Sequence, residues 1–118
     1  MSISKELILT IKGNTYSVAW PNIGNFQRIE SLKQVLSNGM YASLMSVPTV
    51  SSSEALDMID MEAFFTVLIP QLIKDLKCNS FGELGIEDYK ELHEVYEEKF
   101  VPWWSSILEL LRPALKTN

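Results

Sequence analysis

The chain has 118 residues, 47% of them hydrophobic, and a formal net charge of −5. That length leaves room for one domain, residues 1–118, and that apolar share excludes an intrinsically disordered chain. The excess of acid opposes nucleic acid and anionic membrane surfaces as partners, and a single cysteine, Cys78, excludes an internal disulfide and suits a reducing compartment.

The start, "MSISKELILTIKG", alternates in hydrophobicity and lacks a cleavable apolar core, so no signal peptide is expected. Within "ELILTIKGNTYSVAW" a two-residue turn at Gly13-Asn14 predicts a β-hairpin over residues 6–20, with Gly at the first turn position favouring type II′. That turn pairs Ile11 with Tyr16, Leu9 with Val18 and Leu7 with Trp20, and all six share one face. A lone hairpin is marginal in water, so this face is expected to lie under helices with Trp20 buried.

A helical part follows, over residues 22–115. Pro21 closes the second strand, and Ile23, Phe26, Ile29, Leu32 and Leu36 then recur at helical spacing. Asn22 is placed to cap that helix and Asn38-Gly39 to stop it. "MYASLM" reads as a further short helical turn and "SVPTVSSS" as a loop, one of whose serines caps a helix starting near Glu54. That helix is nearly all apolar through Phe64-Phe65 and Val67, and Pro70 breaks or restarts it. Ser80 and Glu83 have the spacing of a capping box. Ile86, Tyr89, Leu92, Tyr96, Phe100, Trp103, Ile107 and Leu111 then fall three or four apart, which predicts one long helix kinked at Pro102 or two nearly coaxial ones. The fold class is therefore α+β, mostly α: an N-terminal β-hairpin packed on a bundle of four to six helices. The longest apolar stretch, "AFFTVLIP", is too short to span a bilayer, so no membrane partner is expected.

Beyond Pro102 the apolar arc widens. At about 100° per residue, Phe100, Val101, Trp103, Trp104, Ile107, Leu108, Leu110, Leu111, Ala114 and Leu115 cover roughly half the circumference, where a core-facing stripe needs little more than about 100°. Adjacent tryptophans diverge by about 100° on one helix. Trp103 continues the stripe and is assigned to the core. Trp104, with Leu108, Leu111 and Leu115, is assigned to a partner contact. The competing reading is that the domain wraps both rings, since a small domain needs every large side chain.

Chemical motifs are sparse. His93-Glu94-x-x-Glu97 lacks the second histidine of a zinc helix, and the chain has no other histidine. His93 reads as the edge of the apolar stripe, beside Tyr89 and Tyr96, with Glu97 one turn away. Cys78 has no evident base. Gly82 and Gly85 do not form a phosphate loop, and the acids from Glu83 to Glu98 lack EF-hand spacing and read as a solvated helix face. No catalytic residue, metal or cofactor is expected, and the protein is not expected to be an enzyme.

Three stretches, "WPNIGNFQRIESLKQVLSNGMYASLM", "EALDMIDMEAFFTVLIPQLIKDL" and "EKFVPWW", resemble in order a family of small tailed-phage proteins, the tail assembly chaperones, especially those of phages infecting Bacteroidetes. The likeness spans nearly the whole chain, through packing and turn patterns. It implies a non-enzymatic protein of the host cytoplasm that binds apolar helical segments of the phage tape-measure protein, with the tail-tube protein as a further candidate partner. The alternatives are a virion structural or head-tail adaptor protein, or a small inhibitor of a host protein. Because a two-stranded hairpin has two unpaired edges, a homo-oligomer, or an edge covered by the chain itself, is also expected.

Overall fold

The computed structural model describes residues 5–47 and 49–115, with side chains as far as Leu111. The fold is α+β and mostly α, with one two-stranded antiparallel hairpin at the N-terminus followed by helices. The chain divides into two units, Met1–Trp20 with Gly85–Asn118, and Pro21–Leu84.

The first unit holds strands β1 (Glu6–Ile11) and β2 (Asn14–Ala19). Leu9, Ile11, Tyr16 and Val18 are buried on one face, as the alternation predicts, while Leu7 and Trp20 are half-buried. The expected turn is corrected. The two turn residues are Lys12 (φ 52°) and Gly13 (φ 81°), and positive φ at both positions makes the turn type I′. The register is Ile11 opposite Asn14, Leu9 opposite Tyr16 and Leu7 opposite Val18. Moving the turn back by one residue shifts every pairing by two, which leaves the inward and outward faces unchanged. Hydrophobic alternation therefore cannot distinguish the two registers. Contacts to Lys12 do: its backbone N–H donates to Glu91 Oε2 at 2.7 Å and its ammonium lies 3.0 Å from Asp88.

Both carboxylates belong to α5 (Ile86–Val95). A wide, π-type turn over Tyr96–Phe100 follows, and α6 (Val101–Leu115) continues the helical path. The N–H of Val101 reaches back to the carbonyl of Tyr96, five residues away. Pro102 has no N–H, and in a regular helix its ring would press on the carbonyl four residues earlier. The wide turn just before it accommodates the proline without ending the helix, so the irregularity expected at Pro102 lies one turn upstream. Ile86 does not join the stripe. As the first residue of α5 it overhangs the helix end and is 88% exposed.

The second unit begins with α1 (Ile23–Leu36). Asn22 caps it as expected, in a reciprocal box: Asn22 Oδ1 accepts from the Asn25 N–H and Asn25 Oδ1 accepts from the Asn22 N–H, both at 2.8 Å. Asn38 (φ 55°) and Gly39 (φ 77°) end it, with the Gly39 N–H donating to the carbonyl of Gln34 at 2.8 Å. Of the stripe expected on α1, Phe26, Leu32 and Leu36 are half-buried and only Ile23 departs from it. Ile29 is buried with Lys33, while Ile23 is exposed.

Helices α2 (Tyr41–Ser46) and α3 (Val50–Leu68) come next. The start of α3 is corrected from Glu54 to Val50, because Thr49 rather than a serine is the cap, its Oγ1 accepting from the Ser52 N–H at 3.1 Å. Pro70 restarts the chain as the first residue of α4 (Pro70–Leu76), where its missing N–H costs nothing. The expected Ser80–Glu83 capping box is replaced by a 3₁₀ turn over Phe81–Glu83, in which Glu83 Oε1 accepts from the Asn79 N–H at 3.0 Å. Among the described residues no helix is long and apolar enough to cross a membrane.

Candidate functional site

Phe100 explains why adjacent tryptophans follow Pro102. Residues three and four ahead on a helix both neighbour a given side chain, and the two indoles take those places around one ring. Trp103 meets Phe100 edge-on, with centroids 6.0 Å apart and planes at 61°. Trp104 stacks on it at 5.7 Å and 16°. Tyr96 stacks on Phe100 from the preceding turn at 5.7 Å. Trp103 and Trp104 are each 7% exposed.

Of the two readings for Trp104, the structure has the one in which both rings are wrapped by the chain. Its ring is not an exposed anchor. Leu108 and Leu111 are half-buried, and the side chain of Leu115 lies outside the described residues. Among the described side chains of α6, the large apolar one that stands clear of the fold is Leu110. Trp20, expected under helices, is half-buried and meets Trp103 edge-on at 6.3 Å and 84°, with the Lys5 ammonium 5.7 Å from its ring. It follows the last residue of β2, and Lys5, the residue before β1, reaches over its ring from the other strand.

His93 sits where the stripe predicts, half-buried, stacked on Tyr89 at 5.9 Å and 6.1 Å from Tyr96, with Nε2 3.3 Å from Glu97 Oε1. Cys78 is half-buried, and burial, with Glu83 and Glu62 nearby, pushes its thiol up. That direction disfavours the thiolate, the form a nucleophile requires.

The most concentrated polar chemistry lies in the second unit, around a side chain the sequence did not single out. Lys33 of α1 is 9% exposed. Its ammonium lies 3.0 Å from Glu30 and 3.8 Å from Asp60, and stands over the rings of Tyr41 at 5.4 Å and Phe64 at 5.0 Å. The Tyr41 hydroxyl donates to Asp60 Oδ1 at 2.5 Å. Burial raises the Asp60 carboxyl above the usual range and outweighs the opposing hydrogen bond from Tyr41 and the charge of Lys33. Burial and Asp60 likewise raise the Tyr41 phenol. Every member has a partner within the cluster, so the arrangement joins α1, α2 and α3 and has the character of a structural tie. One signal was available: Lys33 is four residues from Ile29 and so shares its face.

Close by, the surface turns apolar. Val35, Met40, Met45, Val47, Val50 and Met58 are all at least half exposed, and all fall between residues 35 and 58. No residue of α2 is fully buried. The helix starts with Tyr41 against Asp60 and ends just before Val50, which sets it antiparallel beside the first half of α3. Thr49, Val50, Ser53, Glu54 and Asp57 line an open groove there. No protein-family model, curated protein or solved structure matches the chain.

Proposed function

We propose that this protein acts by binding another protein, as a tail assembly chaperone that holds apolar helical segments of a phage tape-measure protein in the host cytoplasm. The observation that carries this reading is the run of exposed methionine and valine side chains between Val35 and Met58, at the end of α1, around α2 and on the first half of α3. Unbranched, polarizable methionines suit a surface that must fit irregular apolar partners, and a helix laid in a groove is a recurring recognition mode. The resemblance of the three stretches to the chaperone family supplies the identity of the client. The charge of −5 would help keep a coated apolar client in solution.

The test is affinity capture from infected cells with the full chain. Recovery of the tape-measure protein, with the chain missing from purified particles, is the expected result. Presence of the chain in finished particles would make it a virion structural or head-tail adaptor protein, and recovery of a host enzyme alone would make it an inhibitor. Either result overturns the chaperone reading.

A further inference from the structure

The charge around the exposed apolar run has one sign. Between Lys33 and Lys74 the sequence has no lysine, arginine or histidine, but carries Glu54, Asp57, Asp60 and Glu62. Lys33 itself is buried against Glu30 and Asp60. The α2–α3 pair therefore presents methionines and valines beside carboxylates, with no exposed cation of its own. Glu54 and Asp57 line the same groove as Val50, and Val50, Glu54 and Met58 follow one another at four-residue spacing along one face of α3.

We infer that this surface, with Met45, Val50 and Met58 as its apolar contacts and Glu54 at its edge, docks a cationic amphipathic helix from another protein. Complementary charge directs such an encounter and rejects acidic partners, while the apolar side chains supply the buried area. A second copy of the chain is a poor occupant, because it would bring acid against acid. The inference deepens the proposed function by naming the surface and the chemistry of the client segment, and it rests on that reading for the client's identity alone.

The experiment uses the full chain and two labelled peptides patterned as amphipathic helices, one of leucine and lysine, the other of leucine and glutamate, with binding read by fluorescence anisotropy. The Leu/Lys peptide should bind at least about tenfold more tightly than the Leu/Glu peptide, and this preference should shrink with added salt. The double variant Met45→Ser with Met58→Ser, and separately Glu54→Lys, should each weaken the Leu/Lys peptide about tenfold without moving Tm. Glu87→Lys, on the acidic face of α5, should leave binding unchanged. Equal affinity for both peptides overturns the inference. So does full binding by the methionine variant and Glu54→Lys, loss of binding in Glu87→Lys, or self-association that disappears in the methionine variant while neither peptide binds. The same variants separate this inference from the proposed function. Tape-measure capture that survives them removes the surface and keeps the chaperone; peptide binding that needs the surface, without tape-measure capture, removes the chaperone and keeps the surface.

Discussion

Trp103 and Trp104 share Phe100 between them, so their energetic roles should be similar. Each is buried, and removing a large buried aromatic leaves a cavity that the surroundings only partly fill. Trp103→Ala and Trp104→Ala should each cost about 3–5 kcal/mol in urea unfolding. A Trp104→Ala variant as stable as the parent would show that the ring packs against nothing essential. The Lys33 cluster should behave asymmetrically. Lys33→Met removes the cation from the half-buried Asp60 and should cost roughly 2–4 kcal/mol, somewhat under the range for fully buried pairs. Asp60→Asn keeps an acceptor for the Tyr41 hydroxyl and removes the burial cost of the carboxylate, so its stability should stay within about 1 kcal/mol of the parent or rise. Equal losses in the two variants would mean that the ion pair, not desolvation, dominates. Lys33 lay hidden in the sequence because a lysine at a stripe position ordinarily reaches out to solvent; here two aromatic rings and two carboxylates from other turns enclose it.

Secondary-structure elements differ in how much of their geometry is local. The N-cap of α1 depends on residues three apart, and Asn22 was readable for that reason. The hairpin turn was not, since Lys12-Gly13 and Gly13-Asn14 satisfy the same alternation. In the observed turn Lys12 occupies the left-handed region, which disfavours a side chain with Cβ. Its pairing with Asp88 is solvent-exposed and worth little. Lys12→Asn should therefore raise stability by roughly 0.5–1 kcal/mol, because asparagine tolerates that conformation and Asn-Gly is the preferred type I′ pair. A fall in Tm would show that the lysine's contacts to α5 outweigh the backbone strain. At Gly13, with φ 81°, an added Cβ would meet no atom within 4 Å, so any penalty of Gly13→Ala would come from backbone conformation alone.

On the scale of the whole molecule, stability should respond to pH in an uncommon direction. Asp60 and Glu62 both have carboxyls raised by burial, Glu62 while accepting the Phe81 N–H at 3.3 Å. Above the ordinary carboxylate range the folded chain holds on to protons at these sites more firmly than the unfolded chain. Stability contributed by them therefore falls as pH rises through their folded pKa values and grows as pH drops toward the ordinary range. Thermal melts should show Tm at pH 5 equal to or above that at pH 7, and Asp60→Asn should flatten the difference. A steep loss of stability between pH 7 and pH 5 would show that other groups control the response.

Several features of this protein needed nothing but the order of its residues: the α+β class, the inward face of the hairpin, the ends of α1, the restart at Pro70 and the place of Trp103 in the core. Each rests on patterns a few residues long, such as alternation, helical spacing, a cap or a proline, whose energies act within a turn or a strand. Three others were decided only by tertiary structure. Glu91 accepts the Lys12 N–H at the hairpin turn, Tyr41 and Phe64 enclose Lys33, and the chain's own packing takes Trp104 out of solvent. The first two join residues from different elements, and the third depends on what surrounds the helix; periodicity puts Lys33 on the face of Ile29 but names none of the rings and carboxylates that enclose it. The exposed run around α2 and α3 is of the same kind: each methionine there could have been core by spacing, and its exposure is visible only in the packed structure.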